Sequence, residues 1–216
     1  MKKDKRQTLG EEIANAVSHG VMAIFGVVAM ILLIIKADST LGVLAAILFG
    51  FGMINLYTMS TLYHALFHPV AKSVFRRFDH LSIYILIGGS FAPALLLLPE
   101  LQQPVIGSLS LGLSIFIVQW ILIIVGVVFK SIWVKKYVAL HTIVFLILGW
   151  SALAFIKQLF AFDQAAFWLI LAGGVAYSLG VIFFALSKVK YFHFIWHIFC
   201  GLGTILQFIA YYAFLY

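Results

Sequence analysis

Long apolar runs separated by short polar clusters set the pattern of this chain. Seven such runs of roughly 20 residues occur, at 17–36, 41–66, 80–98, 105–129, 137–156, 165–187 and 192–215. A helix of that length, at ~1.5 Å rise per residue, crosses a hydrocarbon core ~30 Å thick. The runs are continuously apolar rather than alternating, so the pattern excludes the strands of a transmembrane barrel. It predicts an all-α integral membrane protein, a seven-transmembrane helix bundle. One membrane domain is expected over 1–216, with a short polar segment, 1–16, ahead of the first span and no soluble domain.

Composition agrees with the pattern. Hydrophobic residues make up 64% of the chain, charged residues 10%, and mean hydropathy is +1.14. A soluble globule is roughly half apolar, so that class is excluded. Residues 1–16 lack the short apolar core and small-residue cleavage site of a secretory signal, and the first span is expected to be retained. The single cysteine, Cys200, leaves no intrachain disulfide and no thiolate zinc cluster. No phosphate-binding glycine loop or nucleophile elbow is present.

The net charge of +7 reports topology rather than nucleic-acid binding. Lys2, Lys3, Lys5 and Arg6 precede the first span, and Lys72, Arg76 and Arg77 separate the second from the third. Lys130, Lys135 and Lys136 follow the fourth, and Lys188 and Lys190 the sixth. Only Lys36 and Lys157 fall at the other ends. Basic residues stay on the cytoplasmic side, which predicts a cytoplasmic N-terminus and an external C-terminus.

This topology turns scattered polar residues into a location. His64 falls at the inner end of the second span, Asp79 and His80 open the third, and His193 and His197 lie in the first turns of the seventh. His19, His68 and His141 also fall on the inner side, whereas Asp38, Glu100 and Asp163 fall on the outer. Ionisable groups at membrane depth are unfavourable by a few kcal/mol or more and mark function. His193 and His197, four residues apart, share one helix face, and Ser60 repeats that spacing before His64. His64 and His68 form a competing pair of the same spacing, but His68 precedes Pro69 in the basic inner loop and reads as interfacial, as do His80 and His141. Three imidazoles with a water match a catalytic zinc site, although the same donors also accommodate copper, nickel or iron. Asp79 is the carboxylate placed to orient a ligand or take a proton there. Glu11 and Glu12 are read as preceding the first span.

Five stretches carry a family resemblance: EEIANAVSHG (11–20), STLYHALFH (60–68), FDHLSIYILIGGSFAP (78–93), GGVAYSLGVIFF (173–184) and HFIWHIFCGLG (193–203). Together they resemble the bacterial hemolysin III family, within the wider progestin and adiponectin receptor family, and more distantly the alkaline ceramidases. The resemblance implies a zinc ion held by His64, His193 and His197, with Ser60 as the family serine and Asp79 as the aspartate beside the metal-held water. It also matches Glu11, Asn15 and His19 to a family stretch without assigning them a role. The chain departs from the pattern at Gln207, where relatives carry a further histidine, and at Gly89, Ser90 and Phe91, where they are threonine-rich.

These readings lead to an expected function. The site suits a zinc-dependent hydrolase of lipid amide or ester bonds in a bacterial cytoplasmic membrane, with Asp79 and Ser60 as catalytic residues. Its partners would be membrane lipids, ceramide-like or otherwise acyl-chained, and no nucleic acid. Zinc would lower the pKa of its water to near ~7 and polarise the scissile carbonyl. The alternatives are a membrane-state sensor with zinc as a structural clamp and, less well supported, a cytolytic pore-former.

Overall fold

The computed structural model describes residues 7–133 and 136–216; Lys2, Lys3, Lys5, Arg6 and Lys135 lie outside the described residues. It is almost entirely helical, with seven helical segments long and apolar enough to cross a membrane. The helices are α1 (Leu9–Lys36), α2 (Thr40–Ala65), α3 (Pro69–Leu97), α4 (Leu111–Ile132), α5 (Val138–Gly149), α6 (Ile156–Phe162), α7 (Gln164–Ala185) and α8 (Phe192–Ala210). A π-helical turn, Tyr211–Leu215, extends α8. Between α3 and α4 a two-stranded antiparallel hairpin, β1 (Pro104–Ile106) with β2 (Leu109–Ser110), turns through Gly107 at φ 58°. Only glycine adopts that left-handed backbone without strain.

Several boundaries differ from those read off the apolar runs. The first helix starts at Leu9 rather than 17, because Thr8 accepts the Glu11 N–H while the Glu11 carboxylate returns to the Thr8 N–H. This capping box stabilises polar first turns by about 1 kcal/mol. With 28 residues at ~1.5 Å each, α1 spans about 42 Å against a ~30 Å core. Its first turns therefore reach the polar interface, and Glu11 and Glu12 belong to the helix instead of preceding it. The third helix likewise starts at Pro69, which occupies the first helical turn where a missing N–H is harmless. Asp79 is consequently ten residues inside α3, not at its opening. Residues 105–110 belong to the hairpin, so the fourth span starts at Leu111, capped by Ser110.

The fifth span is broken. Helix α5 ends at Gly149, and a 3₁₀ segment, Ser151–Phe155, leads into α6. Side chains secure the break: Trp150 Nε1 donates to Ser178 Oγ at 3.0 Å, and Gln119 Nε2 to Ser151 Oγ at 2.8 Å.

Helices α1, α2, α3, α5, α7 and α8 form a ring, α8 closing on α1, with α4 packed outside on α3. Contacts of α5 with α3 and α7 are thin, whereas α2 is tightly held by α1 and α3. Gly52 and Gly89 allow that approach: a Cβ on Gly89 would sit 2.5 Å from the Leu48 carbonyl oxygen. The main apolar core, including Leu33, Phe49, Met53, Leu95, Phe208 and Tyr211, fills the half of the bundle near the α2 N-terminus and α8 C-terminus. Functional polar residues occupy the opposite half.

A Gly89→Val variant is expected to lose more than the ~1–3 kcal/mol typical of overpacking, because rigid backbone is what it strikes. The check is the thermal unfolding midpoint in detergent, with Gly149→Ala, whose Cβ meets nothing within 4 Å, expected to match the parent protein.

Candidate metal centre

Three helices build the site. Helix α2 presents Ser60 and His64 from its last two turns, and α8 presents His193 and His197 from its first two. Helix α1 lies against both. One ring nitrogen from each of His64, His193 and His197 can be chosen so that all three lie within 4.8 Å of one another. His64 and His197 are buried and His193 is half-buried. The Nε2 atoms of all three are enclosed and find no hydrogen-bond partner among the described residues. Buried polar atoms are otherwise almost always paired, so three orphaned imidazole nitrogens converging on one point form a donor set for a metal ion.

The opposite edges of two rings show how the set is oriented. His64 Nδ1 lies 2.7 Å from Glu12 Oε2, and Lys72 Nζ holds the other carboxylate oxygen at 2.9 Å. His197 Nδ1 lies 3.3 Å from the Asn15 carbonyl oxygen and 3.2 Å from Ser18 Oγ. Carboxylate and carbonyl oxygens only accept, so in the neutral rings Nδ1 carries the proton and Nε2 keeps a free lone pair. His19 is fully buried and stacks on His197, with centroids 3.5 Å apart and planes within 5°. Trp196 walls the other side, 4.9 Å from the His193 ring centroid and 5.1 Å from that of His197.

Glu11 works at longer range. Its Oε1 accepts the Tyr191 N–H at 2.9 Å, at the residue preceding α8. Tyr191 has φ 63°, a left-handed conformation that a side chain disfavours by about 1–2 kcal/mol. The carboxylate thus fixes the turn that aims His193 and His197. Glu11, Glu12 and Asn15 are the residues that reading the sequence left without a role. Their spacing on one helix with His19 was the available signal, and only packing shows what it faces.

The remaining candidates fall as follows. Asp79 is buried; its Oδ2 is 3.2 Å from His80 Nδ1, its Oδ1 has no partner among the described residues, and it interacts electrostatically with His64 and His19. It shares a small cavity with His193. Ser60 is buried one turn from His64, and its Oγ is likewise without a partner there. His68 is exposed beyond α2, which removes the competing His64/His68 pair. His141, in the first turn of α5, is buried and hydrogen-bonded, with Nδ1 2.8 Å from Tyr84 Oη.

Comparison with known proteins agrees with this architecture. The profile of the family described as Haemolysin-III related matches residues 7–208. The chain belongs to the haemolysin III family. It is 38% identical to Hemolysin-3 of Bacillus cereus over 206 residues, 94% of this chain and 90% of that protein. Identity to the Hemolysin-3 homolog of Bacillus subtilis (strain 168) is 37% over 205 residues, 93% and 92% of the two chains. A weaker likeness, 25% over 217 residues, covers 98% of this chain and 87% of the human monocyte to macrophage differentiation factor. The expected resemblance to the hemolysin III family is therefore borne out, and this haemolysin III family chain is a multi-pass membrane protein.

Detergent-purified protein is expected to carry about one transition-metal ion per chain by mass spectrometry, lost in His193→Ala/His197→Ala. Glu12→Gln should retain the ligands yet weaken metal affinity by about 10–100-fold, measured by competition with a chelator.

Proposed function

We propose that this protein is a zinc-dependent hydrolase that cleaves amide or ester bonds of membrane lipids within the bilayer. The observation that carries the reading is that the cluster of three orphaned imidazoles meets, through His193, a cavity lined by a carboxylate and adjoining a larger apolar one. The small cavity is lined by Asp79, His80 and His193. The larger, with about 130 Å³ of accessible space, lies between α3, α5, α7 and α8 and shares Ile83, Phe184 and Trp196 with it. A polar reaction chamber opening onto an apolar slot suits a lipid carbonyl followed by its acyl chain. The thin packing of α5 against its neighbours supports lateral access from the bilayer.

Three neutral imidazoles suit zinc, which when bound supplies Lewis acidity and makes water a competent nucleophile near neutral pH. Residues of the chain do the rest. Glu12 and the Asn15 carbonyl hold His64 and His197 with their lone pairs directed inward. Asp79, with Oδ2 steadied by His80 and Oδ1 free of protein partners, accepts a proton from the attacking water and delivers it to the departing nitrogen or oxygen. The products are a fatty acid and an amine or alcohol. The Ser60 hydroxyl donates to the oxygen that gains charge. His64, His193 and His197 serve as ligands only.

Of the positions expected to depart from the family pattern, Ser90, Phe91 and Gln207 line the apolar cavity, whereas Gly89 packs against α2. This supports a shared chemistry with a different preference for the acyl chain. The basic residues Lys72, Lys130, Lys136 and Lys190 gather at the end of the bundle that holds the site, which supports a cytoplasmic orientation for it.

Asp79→Ala is expected to reduce turnover of a short-chain ceramide-type amide by about 10²–10⁴-fold while metal content is unchanged. Undiminished hydrolysis in that variant would overturn the mechanism.

A further inference from the structure

Lys130 is 2% exposed, near the end of α4, and among the described residues no carboxylate lies within ion-pairing distance of it. Its stem is buried while its ammonium meets the cavity with no carboxylate paired to it, which makes it a group able to bind an anion. It contributes to the lining of the same small cavity as Asp79, His80, His141 and His193.

The surroundings are cationic. Arg76 lies close enough to interact unfavourably with Lys130, and His141 lies within electrostatic range of both Lys130 and His80. His141 is oriented by Tyr84, 2.8 Å away, and Tyr84 is seated against α4 where Gly126 leaves no Cβ to overlap its ring. The one carboxylate in the cavity, Asp79, has an oxygen committed to His80. Lys130 and the nearby Arg76 thus set two fixed cations against the one carboxylate lining this cavity among the described residues. Because this cavity adjoins the apolar one through Ile83, Thr142, Phe145, Phe184 and Trp196, an anion bound here has an acyl slot beside it.

We propose that Lys130 and His141 form a subsite for the anionic head group of an acyl lipid, whose chain occupies the apolar cavity between α3, α5, α7 and α8. The inference rests on the hydrolase reading for its consequence, that lipids with a phosphate or carboxylate near the scissile bond are cleaved in preference to neutral ones of the ceramide type. The binding site itself is independent of turnover.

The test is equilibrium binding of dodecyl phosphate to the metal-loaded protein in a neutral detergent, by calorimetry. Lys130→Met is expected to weaken it by at least about tenfold, and Lys130→Arg by no more than about threefold, with dodecanol unchanged in both. The dodecanol measurement also reports that the variants fold. In the unaltered protein, dodecyl phosphate should bind at least about tenfold more tightly than dodecyltrimethylammonium. Equal affinity of Lys130→Met and the parent for dodecyl phosphate, or equal binding of the cationic amphiphile, would overturn the subsite. Inorganic phosphate binding as tightly as dodecyl phosphate would assign the pocket to a free anion and overturn the lipid assignment. Charge-dependent binding with no hydrolysis of any lipid would leave the subsite standing and remove the hydrolase reading.

Discussion

Hydrogen bonds from the first two turns of α1 to its neighbours set the geometry on which everything else here depends. Glu12 receives the Nδ1 proton of His64 on α2, the Asn15 carbonyl receives that of His197 on α8, and Glu11 receives the N–H that starts α8. The backbones of α2 and α8 scarcely touch, so α1 is the element that brings their histidines together. In a low-dielectric interior these acceptors also decide which ring nitrogen stays unprotonated. With His193 beside them, the ring nitrogens of His64 and His197 lie close enough together to hold a metal ion.

The bundle divides its labour along its length. Toward the α8 C-terminus, aromatic and aliphatic side chains pack densely, and hydrogen bonds such as Tyr211 Oη to the Ser90 carbonyl at 2.7 Å lock helix to helix. Around the circumference the division is equally clear. Close glycine contacts make α1, α2 and α3 a rigid wall, whereas the interrupted span formed by α5 and α6 packs thinly. The apolar cavity lies on that thin side, where Trp150, Leu153 and Ile156 line it. The histidine-bearing α2 thus belongs to the rigid wall, and the thinly packed side lies across the bundle from it.

Polar networks connect the two halves. Tyr57 Oη lies 3.2 Å from the Cys200 carbonyl, and Thr204 bridges Tyr57 and Tyr177 at 2.5 and 2.7 Å. These bonds join α2, α7 and α8 one to two turns beyond the histidines and limit how far the ligand-bearing segments can separate. Ser90, Phe91 and Gln207 lie along the apolar cavity, apart from the histidine cluster.

The sequence by itself determined the seven apolar spans, because a bilayer demands length and apolarity that any helix must carry in its own residues. It also singled out His64, His193 and His197, since four-residue spacing and a shared membrane face are local properties. Helix ends were legible only in part: the capping residues Thr8 and Pro69 add polar turns that hydropathy treats as loop, and the fifth span is interrupted after Gly149 although its composition reads as continuous. What only the tertiary structure decided are relations between distant helices. Glu12 with His64 is 52 residues apart in sequence, Glu11 with Tyr191 is 180, and Asn15 with His197 is 182. The solitude of Lys130 is another such relation. Periodicity records which face of a helix is polar, but the partner of that face depends on how helices are arranged around the ring, and no local pattern encodes that arrangement.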